Sequence, residues 1–431
     1  MIRSTHIARR PAAVVPIVAV CLPVLMAVVA LALDAGMIYD RQRQTQAAAD
    51  AAALAGAGDL FRTYSDADSQ NNGKDPNGFS AGHARAVAEA NGYPNDGKIA
   101  DVVVNIPPQS GPFAGKVGYI EVLITYHQPR GFSTIFGTGD LLVGARAVAR
   151  GTWEPNHIGI LALDPTSGSS VKLGGGAVAN VPDAAVIVDS NSSSALYSAG
   201  TGNSITSESF EITGNFAGGV PGVNFIGPLD VGVPPTPDPY RYLPPPDPNT
   251  MAQQNFPQTA QVINQGGGVK TYILSPGVYK GGISVSGKDS LVLNPGIYYM
   301  DAGGFSFSGQ GSLTADGVMV YNDPKSNSQN IKITGQGTVT WNPPYDGIYQ
   351  GMTLFQNRTS TVPVSLSGNG NMHITGVLYA AKALVDVSGN GNNFIGNQVV
   401  AWNMNFQGNG IFNVPWDAGH MAPVRDLRLV E

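Results

Sequence analysis

The chain has 431 residues and a formal net charge of −6, and charged side chains make up only 13% of it. Its one cysteine, Cys21, excludes an intrachain disulfide and a cysteine-rich metal site. The acidic balance, without a Lys/Arg run after the N-terminus, argues against nucleic acid as a partner. Glycine accounts for 55 residues, nearly twice its usual share of roughly 7%, which favours many short strands joined by tight turns.

The first predicted element is a membrane-spanning helix. Ala12 to Leu33 carry no charged residue, and some 20 residues at about 1.5 Å each cross the hydrocarbon core of a bilayer. Arg3, Arg9 and Arg10 precede this stretch, so the positive-inside rule keeps the N-terminus in the cytoplasm and exports the rest. A cleaved signal peptide is the alternative, but the apolar stretch is long for one. Cys21 is expected to be an ordinary buried apolar side chain rather than a lipidated one.

The Ala-rich run from Gln42 to Gly58 predicts that the helix continues to about Leu60. An ordered block accompanies it, consisting of Arg9-Arg10, the apolar span, Asp34-x-Gly36-x-x-Tyr39, Arg41-x-Arg43-x-x-Gln46 and AAADAAALAGA from Ala47 to Ala57. This block resembles the N-terminal signature of TadG-like proteins of the Tad/Flp pilus-assembly systems. The resemblance implies an envelope protein that works with other components of such a pilus apparatus.

Residues 61–155 predict a small α+β domain next to the membrane. The expected elements are a helix from Ala81 to Ala90 capped by Ser80, strands at Val102–Ile106, Gly118–Tyr126 and Leu141–Arg150, and a short helix at Phe132–Phe136. The phrase Asp66-x-Asp68-x-Gln70 lacks the Gly and the final acid of a calcium loop, so residues 61–79 are interpreted as a solvated loop. His83 and His127 are expected to be surface or hydrogen-bonded side chains.

A repeat fills the C-terminal half. Its unit is a short apolar strand, then Ser/Thr-Gly-x-Gly, then another apolar strand, and copies begin at Ile283, Phe305, Ile331, Val364, Val385 and Met404, with an earlier candidate at Val171. One such coil cannot bury its own apolar face, whereas stacked coils share a core. The repeat therefore predicts a mainly β fold, most simply a right-handed parallel β-helix (a β-solenoid), with a β-sandwich as the alternative. Asn369, Asn390 and Asn409 are expected to form an inward amide ladder.

Nine prolines between Pro228 and Thr250 predict an extended strap. Its Asp238-Pro239 and Leu243-Pro244 elements also resemble TadG-like proteins. The predicted organisation is 1–60 for the cytoplasmic tip, membrane helix and helical extension, 61–155 for the α+β domain, 156–227 for early coils, 228–250 for the strap, and 251–431 for the main solenoid with a C-terminal tail.

No catalytic, cofactor-binding or metal-binding residue is predicted. Polysaccharide hydrolysis needs converging carboxylates, and the repeat region offers Asp289, Asp301, Asp316, Asp346 and Asp386, none paired with another or with a histidine in sequence. His373 and His420 are expected to be structural. The phrase AVIVDSNSS from Ala185 is similar to a metal-adhesion loop but has Asn191 where the first Ser belongs. The glycine triplets at 174–176 and 266–268 lack the Lys and helix of a phosphate loop.

Two functions are therefore weighed. The first is a non-catalytic structural or adhesive component of a Tad/Flp-type apparatus, anchored in the bacterial inner membrane with its bulk periplasmic or extracellular. The second is a surface carbohydrate-binding or carbohydrate-active β-helix protein. Clustered carboxylates in a cleft distinguish the second from the first.

Overall fold

We analysed a computed structural model, which describes residues 14–63, 73–132, 134, 137–154, 156–200, 202–369 and 371–431. The chain forms two compact units, Met1–Trp153 with Arg425–Glu431, and Glu154–Val424. The fold is mainly β with a long N-terminal apolar helix, as predicted. The calcium-like phrase at 66–70 lies outside the described residues, and so does most of the predicted helix at 132–136.

The first unit contains both helices, α1 (Val14–Thr63) and α2 (Phe79–Ala90). Helix α1 confirms that the apolar stretch continues into the Ala-rich run without a break. Ser80 was wrongly predicted to cap α2, because it lies inside the helix, which begins one residue earlier after Gly78. The Asp75 carboxylate accepts a hydrogen bond from the Ala81 N–H at 2.8 Å instead. Asn91 and Gly92 end the helix as expected, with Gly92 at φ 90°.

A four-stranded sheet supports these helices. Its strands, in spatial order, are β1 (Ala100–Asn105), β2 (Tyr119–Gln128), β3 (Leu141–Glu154) and β31 (Val424–Leu429). Strands β1 and β2 pair antiparallel, and so do β2 and β3. Sequence reasoning found the first three strands but not β31, which comes from the far end of the chain.

The second unit is a large, mostly parallel sheet. In chain order its strands are β4 (Ile158–Ala162), β5 (Val171–Gly174), β6 (Val178–Val188), β7 (Leu196–Ala199), β8 (Ser204–Ile212), β9 (Phe216–Ala217), β10 (Phe225–Ile226), β11 (Leu229–Val231), β12 (Gln253–Gln254), β13 (Gln261–Gly266), β14 (Val269–Leu274), β15 (Gly277–Lys280), β16 (Ile283–Val285), β17 (Ser290–Leu293), β18 (Gly296–Asp301), β19 (Phe305–Gly309), β20 (Leu313–Ala315), β21 (Val318–Asp323), β22 (Ile331–Gly335), β23 (Val339–Trp341), β24 (Met352–Gln356), β25 (Val364–Asn369), β26 (Met372–Ile374), β27 (Val377–Asn390), β28 (Asn392–Ile395), β29 (Gln398–Gln407) and β30 (Ile411–Asn413).

These strands pair in three parallel columns, because each strand from β14 to β23 pairs with the strand three places further along the chain. We call the three columns together the stack, and we call a run of successive strands, one from each column, a coil. The repeat copies share one column, which we call the repeat column, with Ile283, Phe305, Ile331, Val364, Val385 and Met404 paired successively in register. Strand β13 departs from the pattern and pairs antiparallel with β14.

The spatial order of the stack differs from the order of the sequence. Met404, in the last repeat copy, pairs with Val171, which continues to Leu196 and then to Phe216. The coils of residues 158–231 therefore follow the C-terminal coils in space, although they precede the others in the chain. Strands β9, β10 and β11 end the stack on one side, and β12, β13 and β16 end it on the other.

The core of the stack consists of the apolar side chains of all three columns. The first and third residues of the repeat copies are buried, as in Ile331 with Ile333 and Val385 with Val387. They join one cluster that extends from Leu274 to Val414 and back to Ile160 and Phe225. At about 25 cal/mol per Å², this continuous apolar burial is the main stabilising term of the unit.

Glycine occupies the end of each repeat strand for a steric reason. Gly309, Gly335, Gly389 and Gly408 have φ between 90° and 136°, where other residues are strained. A Cβ on each of them would overlap the carbonyl oxygen of the equivalent glycine one coil before. The inward asparagine ladder was a wrong prediction, because Asn369, Asn390 and Asn409 are exposed. They follow glycines at the outer corner, so their amides point to solvent.

Replacing Gly335 by alanine tests this packing. The Cβ would meet the Gly309 carbonyl at a φ of 136°, so we expect the free energy of unfolding to fall by about 3 kcal/mol. Urea denaturation of the full-length protein measures it. Gly174→Ala is the matched control, because it lies in the same column with nothing within 4 Å of its Cβ position. Equal effects of the two substitutions would contradict the stacking argument.

Candidate functional site

The N-terminal half of α1 exposes an apolar surface. Pro16–Leu60 is a candidate membrane span, and none of its most apolar 18-residue window is buried against the described residues. Leu25 and Met26 are 64% and 65% exposed. Cys21 is also exposed on this helix rather than packed inside the protein, which corrects the expectation of a buried side chain. By its length and composition this uncovered, uncharged stretch is consistent with a membrane anchor.

The first buried residue after the apolar stretch is Asp34, whose carboxylate accepts a hydrogen bond from the Phe132 N–H at 3.1 Å. The helix surface stays mostly exposed beyond it, with Met37 45% and Tyr39 67% exposed. Thr45 is buried, and its hydroxyl contacts the Tyr93 hydroxyl at 3.2 Å. From about Thr45 onward the helix is therefore packed within the first unit.

The Ala-rich run is explained by close packing of α1 on the sheet. Ala49, Ala53 and Ala57 are fully buried in a cluster with the sheet residue Ile120. A Cβ on Gly151 would overlap the Ala57 carbonyl. Small residues let the backbones of helix and sheet approach, so this part of the motif is structural.

The sheet face opposite the helices carries a buried carboxylate, Glu121, which sequence reasoning missed. Glu121 is 1% exposed and accepts hydrogen bonds from Ser110 at 2.5 Å, Asn105 at 2.8 Å and Arg146 at 2.7 Å. Burial acts to raise the pKa of Glu121, but these hydrogen bonds outweigh it and lower the pKa to about 2. Arg146 also pairs with Glu431 at 2.6 Å, which ties the C-terminal residue into the first unit.

Residues 228–250, the strap, connect opposite ends of the stack. The strap leaves β11 at one end and reaches β12 at the other. Along the way the Thr236 N–H donates to Asp189 at 2.8 Å, the Tyr240 hydroxyl donates to the Ala422 carbonyl at 3.1 Å, and the Tyr349 hydroxyl donates to the Pro244 carbonyl at 3.0 Å. The permuted order of the coils requires this long return, and the prolines keep it extended.

Arg358 holds the middle of the strap. Its Nε donates to the Tyr379 hydroxyl at 3.0 Å, and its Nη2 donates to the carbonyls of Tyr240, at 2.6 Å, and Leu243. The Tyr379 hydroxyl in turn donates to the Asp238 carboxylate at 2.6 Å. Burial raises the pKa of Tyr379, so the hydroxyl stays protonated and keeps donating.

Residues of this network also belong to a second apolar cluster, which is separate from the main core. Tyr240 and Leu243 of the strap pack with Tyr299, Tyr321 and other outward side chains of the column that begins at β12. The strap therefore covers a row of aromatic rings that would otherwise face water. Sequence reasoning found the strap from its prolines but gave no role to Arg358 or Tyr379, which carry no local motif.

The five aspartates weighed for hydrolysis have separate environments. Asp289 accepts from the Lys270 N–H at 2.8 Å, Asp316 accepts from the Tyr345 hydroxyl at 2.5 Å, and Asp386 accepts from Asn405 at 2.7 Å. Asp346 lies in the turn between β23 and β24. Asp301 lies in register with Asp323, a residue that sequence reasoning passed over. Asp323 binds Lys325 at 2.6 Å, Asn357 at 2.7 Å and Tyr299 at 3.0 Å.

The histidines fit the structural interpretation. His83 and His127 each hydrogen-bond one aspartate, Asp59 at 2.6 Å and Asp101 at 2.9 Å. In the second unit His420 contacts Asp417 at 2.7 Å, and His373 packs on Phe394 with ring centroids 5.0 Å apart. Over the described part of the chain, no three His, Cys, Asp or Glu side chains lie together as a metal site.

The two glycine triplets have conformational roles, one at a close backbone contact and one in a turn. Gly175 and Gly176 pack against the corner at Gly408 and Asn409, where a Cβ would come within 2.9 Å of the Gly408 nitrogen. The triplet at 266–268 forms the exposed turn between β13 and β14. Neither triplet precedes a helix, as the sequence indicated.

The phrase AVIVDSNSS ends strand β6, and its aspartate binds the strap. Asp189 is 6% exposed and accepts the Thr236 N–H. Burial raises the pKa of Asp189 to about 6, and the single backbone hydrogen bond offsets this only in part. The carboxylate therefore joins the end of β6 to the strap, although its burial disfavours the ionised form.

With this geometry in hand, the chain was compared with known proteins. Residues 12–59 match a family model described as "Putative Flp pilus-assembly TadE/G-like". The N-terminal region therefore matches that of a TadG-like protein, which confirms the resemblance carried by the apolar span, the Asp34 motif and the Ala-rich run. Searches of the curated proteins and of the solved structures find no match.

Removing the Arg358 side chain should release the strap. Because Arg358→Ala removes this donor from the Leu243 carbonyl and leaves the Tyr240 carbonyl with the Leu243 N–H at 3.0 Å, we expect the free energy of unfolding to fall by about 2 kcal/mol. Limited proteolysis should then cut within 228–250. Arg241→Ala is the control, since Arg241 is exposed and stacks on the Tyr242 ring at 4.6 Å. If protease does not cut the strap of Arg358→Ala, the proposed role of Arg358 in holding the strap is contradicted.

Asp189 should make stability depend on pH near neutrality. Its folded pKa of about 6 lies above its ordinary value of 3.8, so ionisation is penalised in the folded state, and stability falls as pH rises from about 4 through 6. Asp189→Asn should be more stable than the unsubstituted protein by on the order of 2 kcal/mol at pH 7.5. Urea titrations at several pH values measure this difference. The difference should shrink steadily as pH is lowered and vanish below the unfolded pKa of 3.8, and a constant difference at all pH values would refute the assignment.

Proposed function

We propose that this protein is a membrane-anchored, non-catalytic structural component of a Tad/Flp-type pilus apparatus. The match of residues 12–59 supports association with Tad/Flp pilus assembly. The observation that carries the proposal is the continuity of α1, whose uncovered apolar half passes directly into an Ala-rich half packed on a sheet. One helix thus joins a lipid-seeking segment to a folded unit.

The location follows from the charges around the helix. Arg3, Arg9 and Arg10 precede the apolar stretch, and the large Gly- and Asn-rich remainder follows it. By the positive-inside rule the N-terminus stays in the cytoplasm, the helix spans the inner membrane once, and residues beyond Asp34 are exported. The second unit then works outside the cytoplasm.

We further propose that the second unit is a right-handed parallel β-helix. In-register parallel pairing of strands three places apart, seen for Ile283 with Phe305 and for Leu291 with Leu313, supports this architecture. The handedness follows from the rule that crossovers between parallel strands are right-handed. Such a body is stiff, because each coil is bonded to both neighbours, which suits a scaffold or an adhesive element.

A structural role also agrees with the polar side chains. Asp289, Asp316 and Asp386 are held by separate partners rather than around one cleft. Glycoside hydrolysis requires two carboxyl groups within about 5–10 Å across a bound sugar. Asp301 and Asp323 are neighbours in register, but Asp323 is engaged by Lys325, Asn357 and Tyr299. We therefore assign the carboxylates to loop and coil packing.

Envelope fractionation tests the anchor. The full-length protein should be recovered in the membrane fraction and resist an alkaline wash, and a reporter fused after Glu431 should be active outside the cytoplasm. Leu25→Lys combined with Val28→Lys should abolish membrane retention, because each lysine costs about 3 kcal/mol at the bilayer centre.

The control places two lysines on exposed apolar positions of the first sheet, Val103 and Leu142, which are 50% and 67% exposed. This control should remain in the membrane fraction. Recovery of the full-length, unsubstituted chain from the cytoplasm would refute the proposal.

A further inference from the structure

The two ends of the stack carry opposite charge. From Ser204 to Val231, which includes the outermost strands β8–β11, the chain has three acidic residues and no Lys or Arg: Glu208, Glu211 and Asp230. From Met251 to Ser290, at the end formed by β12–β14 and β16, it has three lysines and one acid: Lys270, Lys280, Lys288 and Asp289. We call these the acidic end and the basic end.

The acidic end concentrates its charge on the outermost coils. Glu211 and Asp230 are paired in register on β8 and β11, and Glu208 and Asp230 are exposed. Like charges on neighbouring strands repel each other. A cationic surface laid against this end would turn that repulsion into attraction.

Both ends also expose apolar side chains. At the acidic end Val220, Val223 and Val231 are 58%, 59% and 47% exposed, and at the basic end Val262 and Ile263 are 41% and 43% exposed. Clustered exposed apolar residues with a charged rim are typical of protein–protein contact surfaces.

The strand edges at the ends add a third feature. Strand β13 pairs on one side only, with β14, and all of its residues are exposed. Its sequence, QVINQG, contains no charge and no proline, the devices that usually protect an edge from pairing. Its free N–H and C=O groups are therefore available to another strand.

We propose that the acidic end of one molecule binds the basic end of a second copy of this chain. The complementary charges favour a second copy over a partner of unspecified composition, and the two surfaces differ, so the contact is heterologous. A heterologous contact that does not close into a ring generates a linear array. This inference rests on the strand pairing and goes beyond the proposed anchoring role.

The test is cross-linking of full-length protein in envelopes. In a Cys21→Ser background, Val223→Cys and Val262→Cys are made separately and then co-expressed, with a short bismaleimide as the linker. Cross-linked dimer should form when the two variants are present together and not with either variant alone. Dimer from Val223→Cys alone would show a symmetric contact and overturn the proposal.

Charge reversal provides the second arm. Glu211→Lys with Asp230→Lys on the Val223→Cys chain should reduce the dimer yield about tenfold. Pairing it with a Val262→Cys chain carrying Lys270→Glu and Lys288→Glu should restore the yield, which a misfolded variant cannot do. Glu89→Lys, on the first unit, is the control and should leave the yield unchanged.

Two further outcomes would also overturn the proposal. One is the absence of any dimer in envelopes that retain the protein, and the other is a cross-link from Val223→Cys to a different protein. Membrane retention is scored on the same samples, so failure of end-to-end contact is distinguished from failure of the membrane anchor.

Discussion

The second unit depends on the close approach of backbones at its glycine corners. At four corners of the repeat column, Gly309, Gly335, Gly389 and Gly408, a Cβ would overlap the carbonyl of the coil before it, as at Gly389 over Gly368. Only at this separation do the apolar residues of neighbouring strands, such as Val364 and Val385, share one dry core. The low charge and high glycine content of the chain follow from this constraint, because the inward positions must be apolar and the corners must lack side chains.

Because the coils stack closely, their order in space depends on which surfaces fit together and not on their order in the sequence. Once the last repeat copy presents a free edge, any coil of matching shape can continue the column, and β5 does so at Met404. The strap is the consequence, since the chain must travel from one end of the stack to the other. Arg358 and Tyr379 then fix the part of the strap that follows β11. The chain enters and leaves this unit through its middle coils, where Trp416 donates to the Asn156 carbonyl at 2.7 Å.

Local patterns predicted the elements that depend on local chemistry. The apolar length and the Ala-rich run of α1, the alternation in β2 and the position of the repeat strands were all readable from the sequence. The cap at Ser80 failed because Asp75, six residues away from Ala81, supplies the acceptor. The inward asparagine ladder failed because the residue after each corner glycine lies on the exposed side of the corner.

Features that depend on distant residues left no local signal. Strand β31 joins the first sheet from the other end of the chain, and Glu121 is satisfied by Ser110, Asn105 and Arg146. The permuted order of the coils was likewise invisible, because the copies at Val171 and Val364 look alike in sequence. The buried Asp189 was found as part of a metal-loop-like phrase, and its partner on the strap gives it a different role.

The central claim is that the coil at Val171 stacks on the last repeat copy, and a disulfide tests it most directly. Asn405 and Lys172 are neighbours in register although they are far apart in the chain, and adjacent paired strands lie about 4.8 Å apart, within reach of a disulfide. In a Cys21→Ser background, Asn405→Cys with Lys172→Cys should oxidise readily to an intramolecular disulfide. Formation of the disulfide by Ala217→Cys with Ser284→Cys instead, the pair expected if β9 stacked on β16 in chain order, would contradict the account.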